Sequence, residues 1–139
     1  MREIIASIFF TLLSASASAV QPEPDAVQQA QTVAQRWLTL VDSAQYASSW
    51  DEAAQPFRTA ISQSDWQTAI TSARSPLGPL EKRALISATY TEQLPGAPAG
   101  QYVLIQYQTQ FANKKAAIET VTPSKDADGV WRVSGYFVK

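Results

Sequence analysis

The chain contains no cysteine and no histidine. The first absence removes thiolate nucleophiles, zinc–thiolate sites, iron–sulfur clusters, covalent haem attachment and a lipidated cysteine. The second removes the commonest general base and the commonest metal ligand. A Ser-His-Asp triad has no imidazole to build on. Metal binding falls to carboxylate and carbonyl oxygens, which limits it to calcium or magnesium. No cofactor is expected.

An excess of charge is also missing. The net charge is −1, and Lys and Arg are scattered along the sequence. No basic stripe is visible, so nucleic acid is a poor partner on electrostatic grounds. The same argument weakens binding to anionic membranes. Long hydrophobic runs are scarce too. The one that exists, Ile4 to Leu13, is shorter than the roughly 20 residues a membrane span needs.

That run carries the most informative feature present. Met1, Arg2 and Glu3 lead into it, and small residues ending Ala17-Ser18-Ala19 follow. A basic start, an apolar middle and a small-x-small end make the pattern of a secretory signal peptide. Residues 1–19 are therefore expected to be cleaved, and the protein to act in the periplasm or outside the cell. No twin-arginine pair is present, so export in the unfolded state is expected. About 120 residues remain, the size of one domain. A hydrophobic content of 45% with four tryptophans fits a folded globule.

Residues 20–24, Val20-Gln21-Pro22-Glu23-Pro24, read as a short mobile leader, and residues 25–139 as one domain. Asp25 is placed to cap a helix, with Gln28 three residues on. Val27, Ala30, Ala34, Trp37 and Val41 then step by three and four, with Val33, Leu38 and Leu40 widening the stripe. Tyr46, Trp50 and Ala53 continue the spacing into a shorter helix that Pro56 should end or kink. Phe57 and Ile61 are expected to be buried beyond it. A third helix starts with Ser64 as cap and presents Trp66, Ala69, Ile70 and Ala73 inward. Two prolines and a glycine in Arg74-Ser75-Pro76-Leu77-Gly78-Pro79 stop it.

The period then changes from helical to alternating. Ala84, Ile86, Ala88 and Tyr90 alternate with Leu85, Ser87, Thr89 and Thr91. Pro95-Gly96 fits the centre of a type II turn. Val103, Ile105, Tyr107 and Phe111 share one face of the strongest strand. Asn113-Lys114 is a plausible turn, and Ala116 to Ser124 a third strand with Ile118 and Val121 on opposite faces. Asp128-Gly129 signals a hairpin. The last strand, Val130 to Val138, places Trp131, Val133 and Phe137 on one side and Arg132, Ser134 and Tyr136 on the other. The expected architecture is α+β: about three N-terminal helices packed on a four-stranded antiparallel meander.

Several of these residues also carry a resemblance. Trp37-Leu38, Val41-Asp42, Tyr46, Ser49-Trp50, Trp66, Arg74 with Pro76-Leu77-Gly78, Arg83, Leu94-Pro95-Gly96, Gly100 with Tyr102, Glu119, Asp128-Gly129-Val130-Trp131-Arg132-Val133 and Gly135-Tyr136-Phe137 resemble the bacterial domain-of-unknown-function family 4019. The likeness runs from about residue 30 to 138. It implies a small exported bacterial protein and adds no chemistry. The helix-then-meander order is also similar to the cystatin-like and nuclear-transport-factor-like cone folds, a likeness of layout alone.

Four candidate sites follow. Trp37, Tyr46, Trp50 and Trp66, with Tyr107, Trp131, Tyr136 and Phe137, form either an aromatic ligand pocket or an ordinary aromatic core. Arg74, with Arg83 near it in sequence, either holds a carboxylate or caps its own helix. Asp42, Asp51, Asp65 or Glu119 with Tyr46 or Tyr136 would be an acid–base pair needing no histidine. For Glu119 the simpler account is a cross-strand pair with Arg132. The stiff loop Leu94 to Gly100 either contacts a partner or only connects strands. The favoured reading is an exported, non-enzymatic domain that binds a small ligand or an envelope partner. Its hypothetical ligand contacts are Trp37, Tyr46, Trp50, Trp66, Arg74 and Tyr136. The alternative is a carboxylate–tyrosine isomerase or dehydratase in a cone-shaped pocket.

Overall fold

A 21-residue helix, α1 (Pro22–Asp42), lies across a four-stranded antiparallel sheet in the computed structural model, which describes residues 22–139. Two short helices, α2 (Tyr46–Asp51) and α3 (Gln55–Ala60), and a longer α4 (Gln63–Arg74) complete the helical layer. A 3₁₀ turn, Ser75–Leu77, leads into β1 (Leu80–Thr91). The strands β2 (Tyr102–Phe111), β3 (Lys114–Lys125) and β4 (Trp131–Val138) follow in a meander ordered β1-β2-β3-β4. The α+β arrangement expected from the sequence is present, with four α-helices among the described residues where about three were expected. The expected signal peptide, residues 1–19, lies outside the described residues.

The leader was expected to precede the first helix. Instead α1 begins at Pro22, and Pro24 and Asp25 lie in its first turn. Proline is tolerated there because those N–H groups have no helical partner anyway. Further along α1, Ala26, Ala30, Ala34, Trp37, Leu38 and Val41 are buried. The helix closes through Gln45 N–H to Leu40 O at 2.8 Å and Ala44 N–H to Val41 O at 3.1 Å. Ala44 takes φ 58°, the left-handed position where glycine is usual. Its Cβ costs about 1–2 kcal/mol there.

Pro56 does not end a helix. It sits in the first turn of α3, while α2 has already stopped at Asp51. The cap of α4 is Ser62 rather than Ser64: its side chain accepts from Asp65 N–H at 3.1 Å. Trp66, Ile70 and Arg74 are the buried positions of α4, a strict step of four, and Ala69 and Ala73 face outward. Between α2 and α3, Ala54 N–H reaches Val133 O at 2.8 Å and so covers part of the free edge of β4.

Two bulges change which side chains face the helices. In β1 the register slips between Leu85 and Ser87, leaving Ile86 unpaired. Arg83 and Leu85 therefore share the inner face with Ala88 and Tyr90, and the alternation expected from the sequence does not hold. In β4 the extra residue is Ser134, between the pairs Pro123↔Val133 and Thr122↔Gly135. Trp131 and Val133 face inward as expected, but the slip turns Tyr136 inward and Phe137 outward, where it is 51% exposed. The alternation of β2 holds throughout: Val103, Ile105, Tyr107, Thr109 and Phe111 are all buried. Pro95-Gly96 forms its turn with Ala97 N–H on Leu94 O at 3.1 Å and φ 79° at Gly96.

Candidate functional site

At one end of the core, where α1 and α4 both finish, the fold buries charge. Asp42 is the last residue of α1 and Arg74 the last of α4. Gly78 (φ 74°) lets the chain turn back against the β2–β3 hairpin, where an added Cβ would meet Asn113 Nδ2 at 3.0 Å. The register of β1 and β2 then points Arg83 inward opposite Thr109. Its guanidinium grips two carboxylates with its fork. Nε and Nη2 donate to Glu119 Oε1 and Oε2 at 2.7 and 3.1 Å, and Nη1 and Nη2 donate to Asp42 Oδ2 and Oδ1 at 2.8 and 3.0 Å. Arg74 Nη2 donates to Asp42 Oδ1 at 2.9 Å.

Glu119 is fully buried in the middle of β3. Thr109 Oγ1 donates to its Oε1 at 2.5 Å, and the Tyr136 hydroxyl donates to its Oε2. Four donors thus converge on one carboxylate. Such saturation is what allows a charge to stay in the interior. Arg74 is served less completely. Its Nε and Nη1 are buried without a partner among the described residues, and its guanidinium lies 4.8 Å from the Phe111 ring centroid.

The environment pushes two tyrosines and one arginine in the same direction. Burial raises the Tyr136 pKa, and the charge of Glu119 and the hydrogen bond to it raise it further. Burial raises Tyr107 as well, with Arg83 opposing and Glu119 assisting. For Arg83 burial works downward, but the bonds and charges of Asp42 and Glu119 together win and hold its pKa above the ordinary value. A tyrosine raised by folding contributes stability that is complete below its unfolded pKa of about 10 and is lost as pH rises above it. Urea melts across that alkaline limb should therefore show a steep loss of stability, made shallower by Tyr136→Phe. An unchanged slope in the variant would remove Tyr136 from this role.

The aromatic candidates form a second, adjoining cluster. Trp37 packs on Trp66 (centroids 6.0 Å apart) and on Tyr136 (5.3 Å), and Phe57 meets Trp66 edge-on at 4.9 Å. Their polar atoms are bonded inside the chain. Trp37 Nε1 donates to Ser49 O at 2.9 Å, Trp66 Nε1 to Ser49 Oγ at 3.0 Å, and Trp50 Nε1 to Ile61 O at 2.8 Å. Tyr46 joins through its carbonyl, which accepts from Ser49 Oγ at 2.6 Å. Of the six sequence-predicted ligand contacts, Trp37, Trp66 and Tyr136 touch, Tyr46 and Trp50 flank them, and Arg74 belongs to the charged cluster. Tyr136 belongs to both.

Two sequence expectations are corrected here. Glu119 does not pair with Arg132: Glu119 lies opposite Val138, while Arg132 lies opposite Ser124 and binds Asp126 and Asp128 at 2.9 Å each. Arg74 does not cap its own helix, because its bond goes to Asp42. The remaining acids stand apart from this end. Asp51 accepts from Gln63 Nε2 at 3.0 Å, and Asp65 lies in the first turn of α4. The loop from Leu94 to Gly100 is mostly exposed and is pinned by Tyr102 OH to Pro98 O at 2.6 Å.

A groove also runs between α1 and the β3–β4 hairpin. Val33, Val130 and Trp131 form its apolar floor along its whole length. One end is rimmed by Gln28, Gln29 and Thr32, the other by Arg36, Asp51, Glu52 and Arg132, with Trp37 at the base. Val130 is 47% exposed, an apolar side chain offered to solvent beside hydrogen-bonding groups. Sequence reasoning missed this groove, because its two walls lie about 100 residues apart and only the hairpin brings them together.

Residues 33–136 match the family described as a protein of unknown function, DUF4019. Among the solved structures that share the fold are the following two. Aln2 from a Streptomyces species aligns with a TM-score of 0.53 at 12% identity, covering 86% of this chain and 93% of its own. A protein from Catenulispora acidiphila aligns with a TM-score of 0.52 at 13% identity, covering 81% and 88%. At such identities the likeness shows the fold alone. No curated protein matches the sequence. Among the described residues no helix is long and apolar enough to cross a membrane.

Proposed function

We propose that this chain, which belongs to the DUF4019 family of proteins of unknown function, is an exported, non-enzymatic domain that binds a small ligand in the groove between α1 and the β3–β4 hairpin. The export reading rests on the pattern of residues 1–19. The observation that carries the binding reading is the groove itself, where an apolar floor of Val33, Val130 and Trp131 lies within a rim of amides, a hydroxyl and charges. That mixture suits a ligand with one apolar face and several hydroxyls, such as a saccharide or a group of that kind on an envelope partner.

The carboxylate–tyrosine pair argues against catalysis rather than for it. Glu119 and Tyr136 do meet. Yet each Glu119 oxygen already accepts two bonds, which leaves no lone pair for a substrate proton. Tyr136 is a weakened acid, because burial and the neighbouring charge both oppose its ionisation. The pair holds the core together.

Trp131 gives the groove its own reporter. Tryptophan fluorescence of the protein, titrated with saccharides and envelope metabolites, should show a saturable change. Val130→Asp, a change at an exposed position, should abolish it while thermal unfolding stays within a few degrees of the parent. Binding that survives Val130→Asp and Val33→Asp would remove the groove as the site. Mass spectrometry of the exported fraction tests the other half: a chain that retains Met1 to Ala19 there would overturn cleavage.

A further inference from the structure

The sequence scatters its lysines, but the sheet gathers them. Lys82 lies opposite Gln110, Ala84 opposite Gln108, and Gln108 opposite Ile118. Because directly opposed residues share a face, all five stand on the side of the sheet away from the helices. Ile118 and Lys139 exchange both backbone hydrogen bonds at 3.0 Å, which adds Lys139 to the same row. Lys115, on β3, reaches across β2 to Glu81 of β1, with Nζ 2.5 Å from Oε1. Three lysines thus share this part of the face with one side-chain carboxylate, which is paired with Lys115, in a chain whose net charge is −1.

Lys82, Ala84, Gln108, Thr109, Gln110 and Lys115 line a shallow cavity of about 260 Å³ there. That is below the usual range of about 300–1,000 Å³ for drug-sized ligands, so a compact ion fits better than a larger molecule. Its chemistry is one-sided. Two ammonium groups and two carboxamides offer donors, and Ala84 leaves room above the strand. Among the described residues the Lys82 ammonium has no side-chain hydrogen bond or ion pair. Each ammonium near the surface supplies only about 1 kcal/mol toward an anion in water. A doubly charged ion gains this twice over from each of the two lysines.

We propose that Lys82 and Lys115, with Gln108 and Gln110, form an anion site on the outer sheet face that takes a compact dianion bearing carboxylate or phosphate oxygens. Glu81 competes with that ion for Lys115 and sets the affinity. This site is separate from the groove and does not depend on it, since α1 lies on the opposite face.

The test is an amide-resolved NMR titration of the purified protein at low ionic strength. Inorganic phosphate and succinate form separate arms, and sodium chloride of matched ionic strength is the control. Saturable shifts should centre on Lys82 to Ala84, Gln108 to Gln110 and Lys115, and the stronger arm identifies the oxyanion. Lys82→Gln and Lys115→Gln should each weaken binding of a dianion about thirtyfold, the loss of one ammonium acting on two charges. Glu81→Gln should tighten it, a gain that a damaged fold would not produce. Shifts no larger than the chloride control would overturn the proposal. So would a Lys82→Gln/Lys115→Gln protein that binds as the parent does, and so would looser binding in Glu81→Gln.

Discussion

Glu119→Ala is expected to lower stability by about 3–5 kcal/mol, the cost of leaving a buried charge without its partner. Arg83 would keep Asp42 but lose both bonds to Glu119, and Thr109 and Tyr136 would each lose an acceptor. Domains of this size are stable by only about 5–15 kcal/mol, so one substitution could remove most of the margin. Urea unfolding measures the loss directly. A paired change separates charge from packing. Arg83→Met with Glu119→Leu removes both charges and fills the space with apolar atoms, which is often neutral or stabilising at buried ion pairs. The pair should therefore recover much of the stability lost by Glu119→Ala alone. If the double variant is as damaged as the single one, the cluster does not act through charge balance. The exposed pair Lys115–Glu81 makes the contrast, being of the kind that contributes only about 0.2–1 kcal/mol.

Part of this cluster was legible in the sequence. Glu119 stands two residues from Ala117 and two from Val121, in phase with the buried face of its strand. Thr109 stands in phase with Tyr107 and Phe111 in the same way. Arg74 continues the step of four from Trp66 and Ile70. A charge in phase with a core stripe has to find an internal counter-charge, and two such charges with a buried hydroxyl between the strands announce a buried network. The counter-charge that joins them was not legible. Arg83 owes its inward direction to register slips around Glu81 and Ile86, and a strand period of two cannot foresee an inserted residue. Ser134 does the same in β4 and carries Tyr136 to the cluster. Helix boundaries failed for local reasons. Proline reads as a stop, yet Pro22, Pro24 and Pro56 all stand in first turns, where the missing N–H costs nothing. The lysine row on the outer face was hidden for a third reason: it depends on pairing between strands, and sequence separation conceals it.

The second large effect belongs to Trp37. It is 1% exposed, and it stands where the aromatic cluster, the groove and α1 meet. Trp37→Ala should cost about 3–5 kcal/mol, the range for emptying a large aromatic site. Trp37→Phe divides that cost. The phenyl ring keeps much of the packing on Trp66 and Tyr136 but has no donor for the Ser49 carbonyl, which is buried. An unpaired buried acceptor costs about 1–3 kcal/mol, so the phenylalanine variant should fall between the parent and alanine. Ser49→Ala tests the neighbouring link: the backbone carbonyl that Trp37 donates to is kept, while Trp66 Nε1 loses its acceptor and every ring stays in place. Thermal or urea unfolding of the three variants should rank Trp37→Ala as the least stable. Equal losses for Trp37→Phe and Trp37→Ala would mean that the indole N–H, rather than the ring, holds α1 to α2. No loss in Trp37→Phe would mean the bond to Ser49 is dispensable and that apolar contact alone seats the helix on the sheet.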